Sequence, residues 1–380
     1  MSKIYELFGF RLDTWGSLAY ANCRMAWCPF MNAECDGGGN RYLSGIDLQT
    51  HPELAKIFPG KKLVQAGICS LRVRDGEQPW IVCPRRLLSL RESSSRSNYQ
   101  NHVRQQLSKY MNLHQEGHYR VWSEVKMKVG TTTDDDQEKS FDYTFDYVIS
   151  GSKRILVADV AKIINRSQKT TQKIAEENGF TLARRGELWI EDFPSDPVII
   201  VEIMTSSTSG GDKKKRTQIG MAFEDAILDP KNHNGPGINY RQVWARMVSQ
   251  LIVKSQVGMS WHGKTIWLIQ DVLAHYISAS TALNLSKYLA QRTGEVNILA
   301  VGYGDKANSK SILDKVVSLE DSSFYAGPIT AGASQDTEHG GFIEIVKIGA
   351  PPPKEHLWRS LFLKSPCATF SDNIGTDHSN

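Results

Sequence analysis

Long hydrophobic runs and a strong charge imbalance are both missing from this 380-residue chain. No stretch approaches the roughly 18–20 consecutive apolar residues that a membrane-spanning helix needs. The first ten residues also lack the basic-then-apolar layout of a signal peptide. The formal net charge is only +4, so the overall balance favours neither a basic nor an acidic coat. These absences predict a globular cytoplasmic protein whose partners must be inferred from local features.

Cysteine is scarce, with six in the chain. Five of them lie within the first ninety residues, and four of these five form two pairs: Cys28 with Cys35, and Cys69 with Cys83. In a chain without an export signal, such a set favours metal ligation over disulfides. Four thiolates suit a closed tetrahedral site for zinc or a single iron, which would supply folding energy to a loop-rich segment. Buried free cysteines are the alternative. Cys23 can replace Cys28 in the set, and Cys367 is expected to be structural.

Local patterns divide the chain into two parts. A polar run at 91–97 marks a boundary, which predicts a metal-binding domain over 1–95 and an α/β domain over 96–380. Apolar periodicity predicts strands over 63–66, 80–82, 119–129, 141–149, 154–160, 197–204, 265–270, 297–301 and 341–346. Helical spacing predicts helices over 99–113, 167–178, 216–228 and 240–256.

Glu202 lies inside the apolar run 197–204, which is typical of a buried strand. An isolated buried carboxylate is costly, so it must be paired, protonated or bound to a cation. The strand over 141–149 can bring Asp142 or Asp146 beside it, and Asp159 is a further candidate. Two carboxylates with the Ile203 carbonyl would suit Mg²⁺, and such a site supports phosphodiester hydrolysis. A solvated acidic edge and a simple ion pair are the alternatives.

Two other features extend this hypothesis. Glu124, in the strand before Asp142, would lie at the edge of the carboxylate group as a second-metal or supporting acid. A basic segment leads into the helix predicted over 216–228 and consists of Lys213, Lys214, Lys215 and Arg216. Basic side chains and free backbone N–H groups at a helix start can bind phosphate. A solvated run of charge is the alternative.

Short motifs in both parts of the chain resemble the NotI family of type II restriction endonucleases. In the first part they are ELFGF at 6–10, CPF at 28–30 and WIVCPRRLL around Cys83. In the second part they are SFDYT at 140–144, VEIMT at 201–205 and the stretch from about 239 to 276. The likeness covers most of 5–300, and a C-terminal extension from about 296 is weakly matched.

The resemblance implies a PD-(D/E)XK nuclease core, with a mixed central sheet flanked by helices, beside a small N-terminal domain stapled by a metal ion. It implies a homodimer that cleaves double-stranded DNA at a palindrome with Mg²⁺, while a cognate DNA methyltransferase protects the same site. By position, Asp142 looks like the first metal-binding carboxylate, Glu202 the second and Glu124 the upstream acid. The same resemblance makes iron ligands of Cys28, Cys35, Cys69 and Cys83.

The chain departs from the family pattern at Met204, where the superfamily usually has a lysine. Methionine cannot donate a hydrogen bond or carry charge, so water activation would rest on the metal or on another lysine such as Lys213. The long separation of Asp142 from Glu202 indicates an insertion at about 151–196. A structure-specific repair or recombination nuclease and a catalytically inactive DNA-binding protein are the alternative functions.

Overall fold

A computed structural model describes residues 2–38, 44–90, 104–105, 107–108, 119–132, 138–209, 211–280, 296–304, 320–326 and 353–370. Within these ranges eight strands form one curled mixed sheet, and the first part of the chain forms a separate four-stranded antiparallel sheet. The protein is therefore mixed α/β, as predicted. No helix in these ranges is both long and apolar enough to cross a membrane.

The N-terminal part is built from short elements. Its strands are β1 (Lys3–Leu7), β2 (Phe10–Arg11), β3 (Trp27–Cys28), β4 (Ala33–Glu34), β5 (Gly45–Asp47), β6 (Leu63–Gln65), β7 (Ile68–Arg72) and β8 (Trp80–Ile81). Its helices are α1 (Ser17–Met25), α2 (Pro52–Ile57) and α3 (Pro84–Leu87). The four-stranded sheet has the order β2-β1-β7-β8. The strands predicted near 63–66 and 80–82 are confirmed.

The second part contains the long strands. They are β9 (Tyr119–Thr132), β10 (Glu138–Leu156), β11 (Leu182–Arg185), β12 (Glu187–Met204), β13 (Thr208–Ser209), β14 (Gly237–Ile238), β15 (Lys264–Gln270), β16 (Val296–Gly302), β17 (Glu320–Ala326) and β18 (Ala368–Phe370). The central sheet has the order β17-β16-β15-β12-β10-β9-β18, with β11 attached to β12. β12, β15 and β16 are parallel, and the other neighbouring strands are antiparallel.

Both faces of the central sheet are covered. The helices of the second part are α4 (Val157–Ile163), α5 (Gln168–Glu177), α6 (Ile219–Leu228), α7 (Tyr240–Ser260), α8 (Asp271–Ser280) and α9 (Lys354–Phe362). Helices α4, α5, α7 and α9 contribute buried side chains to one apolar core on the sheet. On the other face, Leu87 and Leu88 of the N-terminal part share a core with Tyr147 and Val201. The two parts of the chain therefore pack against each other directly.

One predicted strand is wrong. The strand expected over 141–149 is part of one long strand, β10, which ends at Leu156. The strand expected over 154–160 is wrong beyond that residue, because residues 157–163 form helix α4. The buried residues of α4 are Val157, Val160 and Ala161. Such a short apolar run fits the repeat of a strand as well as that of a helix. The strand predicted over 341–346, the boundary near 95 and most of the helix predicted over 99–113 lie outside the described residues.

Candidate active site

Glu202 lies near the end of β12, between an antiparallel neighbour, β10, and a parallel one, β15. Only 1% of the residue is exposed. Side chains alternate along a strand, so Glu202 shares the face of Ile200, whose apolar core includes residues of helix α7. A carboxylate in such a position requires compensating contacts.

Asp146 of β10 is the carboxylate that lies beside Glu202, and it is 8% exposed. The backbone N–H of Asp146 donates a hydrogen bond to Glu202 Oε1 at 3.3 Å. In return, the N–H of Ile203 donates to Asp146 Oδ2 at 2.9 Å. Each carboxylate is therefore fixed by the backbone of the other's strand, which holds the two acids close together.

The other two acids considered from the sequence lie elsewhere. Asp142 is four residues earlier in β10, where its backbone pairs with Lys128 of β9, and its side chain lies outside the described part. Asp159 is partly exposed on helix α4 and forms an ion pair with Lys162 at 3.0 Å. The structure thus brings Asp146 to Glu202, whereas the role of Asp142 stays a prediction.

Lys254 of helix α7 supplies a positive charge to this pair. Its Nζ lies 2.5 Å from Glu202 Oε2 and 6.0 Å from the centre of the Phe145 ring, and its side chain is 12% exposed. Met204 is half-buried and packs against an apolar cluster. The amine near Glu202 therefore comes from a helix, and the strand position two residues after Glu202 is occupied by an apolar side chain.

Gly258 allows helix α7 to lie close to the sheet. A Cβ at this position would be 2.7 Å from Thr265 Oγ1 and 3.3 Å from Ile200 Cδ1, which is too close for an unshifted side chain. Gly258 is about one helical turn after Lys254. The close approach at Gly258 therefore also brings the Lys254 ammonium within reach of Glu202.

A signal for Lys254 is present in the sequence of helix α7. Val243, Met247 and Leu251 mark the buried stripe of α7, and Lys254 continues that stripe three residues later. A charged residue on an apolar stripe requires a partner in the core. The stripe could have identified Lys254 as a candidate, although it could not have named Glu202 as its partner.

The two carboxylates and one ammonium form a buried group with a formal charge of −1 when all three are ionised. Within the described ranges, no three His, Cys, Asp or Glu side chains are arranged to hold a metal ion. Mg²⁺ nevertheless commonly binds through one or two carboxylates and keeps several waters or substrate oxygens. Asp146 and Glu202 fit that donor set, and the carbonyl of Ile203 remains the predicted third ligand.

Glu124 lies opposite Asp146 at an irregularity in β9. The strand register passes from Phe145–Val125 to Tyr147–Ser123, and Glu124 between them has φ of 51°. This left-handed conformation is uncommon for a residue with a side chain. The Glu124 carboxylate bonds Arg85 of helix α3 at 2.9 Å, so this acid connects the carboxylate strands to the N-terminal part.

The predicted phosphate clamp differs from expectation. Residues 213–216 form an exposed turn, and helix α6 begins later, at Ile219. Asp212 accepts hydrogen bonds from two backbone N–H groups of that turn, and the Arg216 guanidinium bonds Asp225 at 2.7 Å. The basic segment therefore precedes the helix and does not form its start, and two backbone N–H groups of the turn and the Arg216 side chain are engaged within the chain.

The four thiols predicted as ligands all lie in the N-terminal part, and burial raises the pKa of each. The pKa reaches about 12 for Cys28 and about 11 for Cys83, and lies well above the ordinary value for Cys35 and Cys69. The charge of Cys83 acts on the pKa of the other three. Cys28 and Cys69 share a small apolar core against which Cys35 packs. As placed in the described region, however, these side chains do not form a metal-holding group.

Backbone N–H groups donate a hydrogen bond to each of these four sulfurs. The donors are Phe30 and Met31 to Cys28, Gly37 to Cys35, Arg85 and Arg86 to Cys83, and Gly9 to Cys69 at 3.3 Å. Such bonds favour the thiolate. Burial raises the pKa of the Cys23 thiol to about 12 as well, and the Arg24 charge is what opposes this rise. The backbone therefore distinguishes the four predicted ligands from Cys23.

Comparison with other proteins adds no relative to this description. No protein-family model matches the chain, and no curated protein matches it significantly. Inference about function therefore rests on the residues of the site, above all on Asp146, Glu202 and Lys254.

Proposed function

We propose that this protein is a Mg²⁺-dependent endonuclease of the PD-(D/E)XK type. The observation that carries the proposal is the buried group of Asp146, Glu202 and Lys254. Two acids on neighbouring central strands with an amine in hydrogen-bonding distance are the side chains that metal-assisted hydrolysis of a phosphodiester requires. The mixed sheet, with helices packed on the face that carries the acids, is compatible with this class of nuclease.

Each residue of the group has a defined part in the proposed reaction. Asp146 and Glu202 would hold Mg²⁺, which when bound supplies an acidic water and neutralises charge on the phosphate. The Lys254 ammonium balances Glu202 and can donate a hydrogen bond to the attacking water or to a phosphate oxygen. Met204 has no such donor. We therefore assign to Lys254 the part that a strand lysine usually takes.

The four-cysteine set is proposed to hold one structural iron or zinc ion. Support comes from the hydrogen bonds that backbone N–H groups donate to Cys28, Cys35, Cys69 and Cys83, since donors of this kind stabilise thiolate ligands. The bound ion would link segments of the N-terminal part that have few regular elements.

The proposed substrate is double-stranded DNA. By its resemblance to restriction enzymes, the protein would act as a homodimer on a palindromic site, because a two-fold dimer presents the same residues to two half-sites. The exposed side chains of Lys213 and Lys214 are candidates for phosphate contacts. A cognate methyltransferase would protect the same site in the host.

Cleavage assays on plasmid and genomic DNA with Mg²⁺, followed by run-off sequencing of the ends, test the proposal. We expect discrete fragments from the wild type. Glu202→Gln and Lys254→Met should each lower the cleavage rate by roughly 10²- to 10³-fold, because each removes a group that stabilises developing charge. Asp146→Asn and Asp142→Asn form a matched pair on one strand, and only the former should lose activity.

Other outcomes assign other functions. Cleavage that persists in Glu202→Gln contradicts the site, and activity lost in Asp142→Asn but retained in Asp146→Asn would make Asp142 the first carboxylate. Preference for junctions or flaps would indicate a repair nuclease. DNA binding without cleavage, in either Mg²⁺ or Mn²⁺, would indicate an inactive DNA-binding protein.

A further inference from the structure

A cavity of about 650 Å³ is lined by residues of β1, of helix α1 and the loop before it, and of the segment that follows α6. Pockets for small molecules typically have volumes of roughly 300–1,000 Å³. The described residues that line this cavity include none of the proposed active site. Aromatic, aliphatic and basic side chains occur together in the lining. The cavity is therefore a candidate binding site that shares no residue with the carboxylate group.

The segment after α6 forms one wall, and its position is fixed on β1. His233 is buried, and its Nε2 accepts a hydrogen bond from the N–H of Ile4 at 2.9 Å. The Nδ1 of the same ring therefore carries the proton and donates to the carbonyl of Pro230 at 2.9 Å. Two residues later, the N–H of Gly235 donates to the carbonyl of Ser2 at 2.6 Å. These bonds preorganise the wall, which favours ligand binding.

Trp15 and Tyr20 form an aromatic corner of the lining. Their ring centroids are 5.1 Å apart, and their planes lie at 88° to each other. The Trp15 indole donates a hydrogen bond to the carbonyl of Phe10 at 3.4 Å, which holds this ring in place. Tyr20 is 48% exposed, and Leu228, also in the lining, is 47% exposed. The corner therefore offers accessible aromatic surface on which a planar ring can stack.

Three basic side chains belong to the same lining: Lys3, Arg72 and Lys231. The Lys3 ammonium donates to the backbone carbonyl of Lys231 at 3.3 Å, which uses one of its three donors. In the described part of the chain, neither lysine forms an ion pair with a carboxylate. The Arg72 guanidinium lies over the ring of Tyr5, 4.5 Å from its centre. Lys3 and Lys231 can therefore bind an anionic group at this cavity.

Carboxylates in the lining limit how much negative charge a ligand can carry. They are Asp13, Asp75 and Asp229. Asp13 is paired with the Arg11 guanidinium at 2.6 Å, so the other two acids face the three basic side chains of the lining. The cavity therefore has a small positive surplus. It suits a ligand with one anionic group and a large uncharged ring better than it suits a small polyanion.

We propose that this cavity binds a nucleotide, with the base stacked against Trp15 and Tyr20. The phosphate binds the ammonium groups of Lys3 and Lys231. A base with its phosphate can be a free nucleotide or an unpaired nucleotide of a DNA strand, and both present the same chemistry. The inference goes beyond the proposed function, because it does not depend on the carboxylate site or on cleavage.

Isothermal titration calorimetry of the full-length protein, without added Mg²⁺, tests the proposal. The probes are deoxyadenosine 5′-monophosphate, deoxyadenosine, and a short single-stranded oligonucleotide of deoxyadenosine. We expect the monophosphate to bind. Deoxyadenosine should bind more weakly by about tenfold or more, because it lacks the group that receives hydrogen bonds from the two ammonium groups.

Two variants locate the binding in the cavity. Tyr20→Ala should weaken binding of the monophosphate by roughly five- to hundredfold, because a stacking surface is lost. Lys231→Met should lower the affinity for the monophosphate toward that for deoxyadenosine. Both side chains are exposed, so we expect both variants to fold, which circular dichroism checks. If Tyr20→Ala does not fold, the comparison of Lys231→Met with the wild type decides alone.

Matched controls are available for both variants. Met25→Ala removes a side chain that is 53% exposed on the same helix as Tyr20. Lys62→Met removes an exposed lysine of the N-terminal part. Neither residue lines the cavity, and both variants should bind the monophosphate as the wild type does.

Each outcome supports or overturns the nucleotide site. Tighter binding of the oligonucleotide than of the monophosphate, weakened in Tyr20→Ala, supports the site with a DNA strand as the source. Binding of the monophosphate alone supports it with a free nucleotide as the source. The site is overturned if neither probe binds, if deoxyadenosine binds as tightly as the monophosphate, or if a folded Tyr20 or Lys231 variant binds as the wild type does. DNA cleavage by a protein that fails these titrations would leave the proposed function intact.

Discussion

Glu6 and Glu202 are both buried carboxylates on β-strands that face a basic side chain, yet their surroundings differ. Arg86 donates hydrogen bonds to both Glu6 oxygens, at 2.9 and 3.0 Å. Ser70 and Tyr303 also donate to Glu6, at 3.0 and 2.5 Å. All four residues are fully buried. One guanidinium therefore matches one carboxylate in a network closed to water, which joins the N-terminal sheet to the end of β16.

The surroundings of Glu202 are of a different kind. The Lys254 ammonium, which is partly exposed, lies beside Glu202, and so does a second carboxylate, that of Asp146. A buried hydrogen-bonded network of matched charge, such as that of Glu6, stabilises one arrangement of the fold. Two neighbouring carboxylates beside one ammonium form a candidate binding site for a cation. We infer from this contrast that Glu6 has a structural role, whereas Glu202 belongs to the proposed active site.

Replacement of the basic residue, Arg86 beside Glu6 or Lys254 beside Glu202, should give the largest difference in stability between the two networks. Arg86→Met leaves the Glu6 carboxylate uncompensated in the core, and we expect it to lower the free energy of unfolding by about 3–5 kcal/mol. Lys254→Met should cost less, and Mg²⁺ should recover part of the loss because Asp146 and Glu202 can bind a cation in its place. Urea denaturation with and without Mg²⁺ measures both effects.

Lys56→Met is the control for these two substitutions. Lys56 forms an exposed ion pair with Glu53, and surface pairs of this kind contribute less than about 1 kcal/mol. Equal losses in the Arg86 and Lys254 variants, with no recovery in Mg²⁺, would contradict the distinction between the networks.

A smaller effect is expected from Gly258→Ala, which alters the spacing that brings Lys254 to Glu202. Alanine normally stabilises a helix relative to glycine, but here its Cβ would meet Thr265, and we expect a net loss of about 1–3 kcal/mol from overpacking. Cleavage should fall as well. Gly220→Ala is the matched control, because a Cβ there has its nearest neighbours at 3.9 Å. Equal stability changes at the two glycines, measured by denaturation, would argue against a close approach at Gly258.

The smallest expected effect concerns the strand that carries Glu6, and it depends on pH. His233 is buried, and its Nε2 accepts a hydrogen bond from the Ile4 N–H of β1 at 2.9 Å. Burial lowers the pKa of His233 below its ordinary value of 6.5. Below pH 6.5 the imidazole of His233 binds a proton more readily in the unfolded chain than in the folded one. The contribution of neutral His233 to the free energy of unfolding is therefore complete above pH 6.5 and declines as the pH falls through that value.

Denaturation curves of the wild type and His233→Gln between pH 8 and about 5.5 measure this dependence. The variant should be less stable at pH 8 and should lose less stability on acidification. The same slope in both proteins would show that other groups cause the acid sensitivity.

Much of the central sheet could be predicted because its signals are local. Alternation identified β9, and a continuous apolar run identified the end of β12. A polar segment closed by Gly179 identified α5, and helical spacing identified α7, each to within a few residues. The start of α5 has a chemical marker as well, since the Ser167 hydroxyl accepts a hydrogen bond from the N–H of Thr170. Signals of this kind depend on neighbouring residues alone.

The choice between Asp142 and Asp146 could not be made from alternation. In a regularly alternating strand, residues four apart lie on one face, which would place both acids together. In β10, however, Tyr143 and Phe145 share an apolar core with Val148. The alternation therefore shifts by one residue beside Glu124 of β9, whose backbone is left-handed. Such a shift reverses the face of every later side chain, and no glycine marks it in the sequence.

Lys254 shows a second limit of local patterns. Its place on the buried stripe of α7 is visible in the sequence, but the sheet residue that it reaches depends on the separation of helix and sheet. That separation is a property of packing between segments distant in sequence, and Gly258 affects it only because Thr265 and Ile200 lie opposite.

The C-terminal segment that contains β18 covers one edge of the central sheet. β18 pairs with the start of β9, and the Trp122 indole donates to the carbonyl of Lys364 at 3.0 Å. Without residues 354–370, this part of β9 would present unpaired N–H and C=O groups beside apolar side chains. Such edges pair readily with another chain. A shortened protein would therefore be prone to aggregate. Residues 354–370, which carry a weak sequence signal, cover an edge through which the protein would otherwise self-associate.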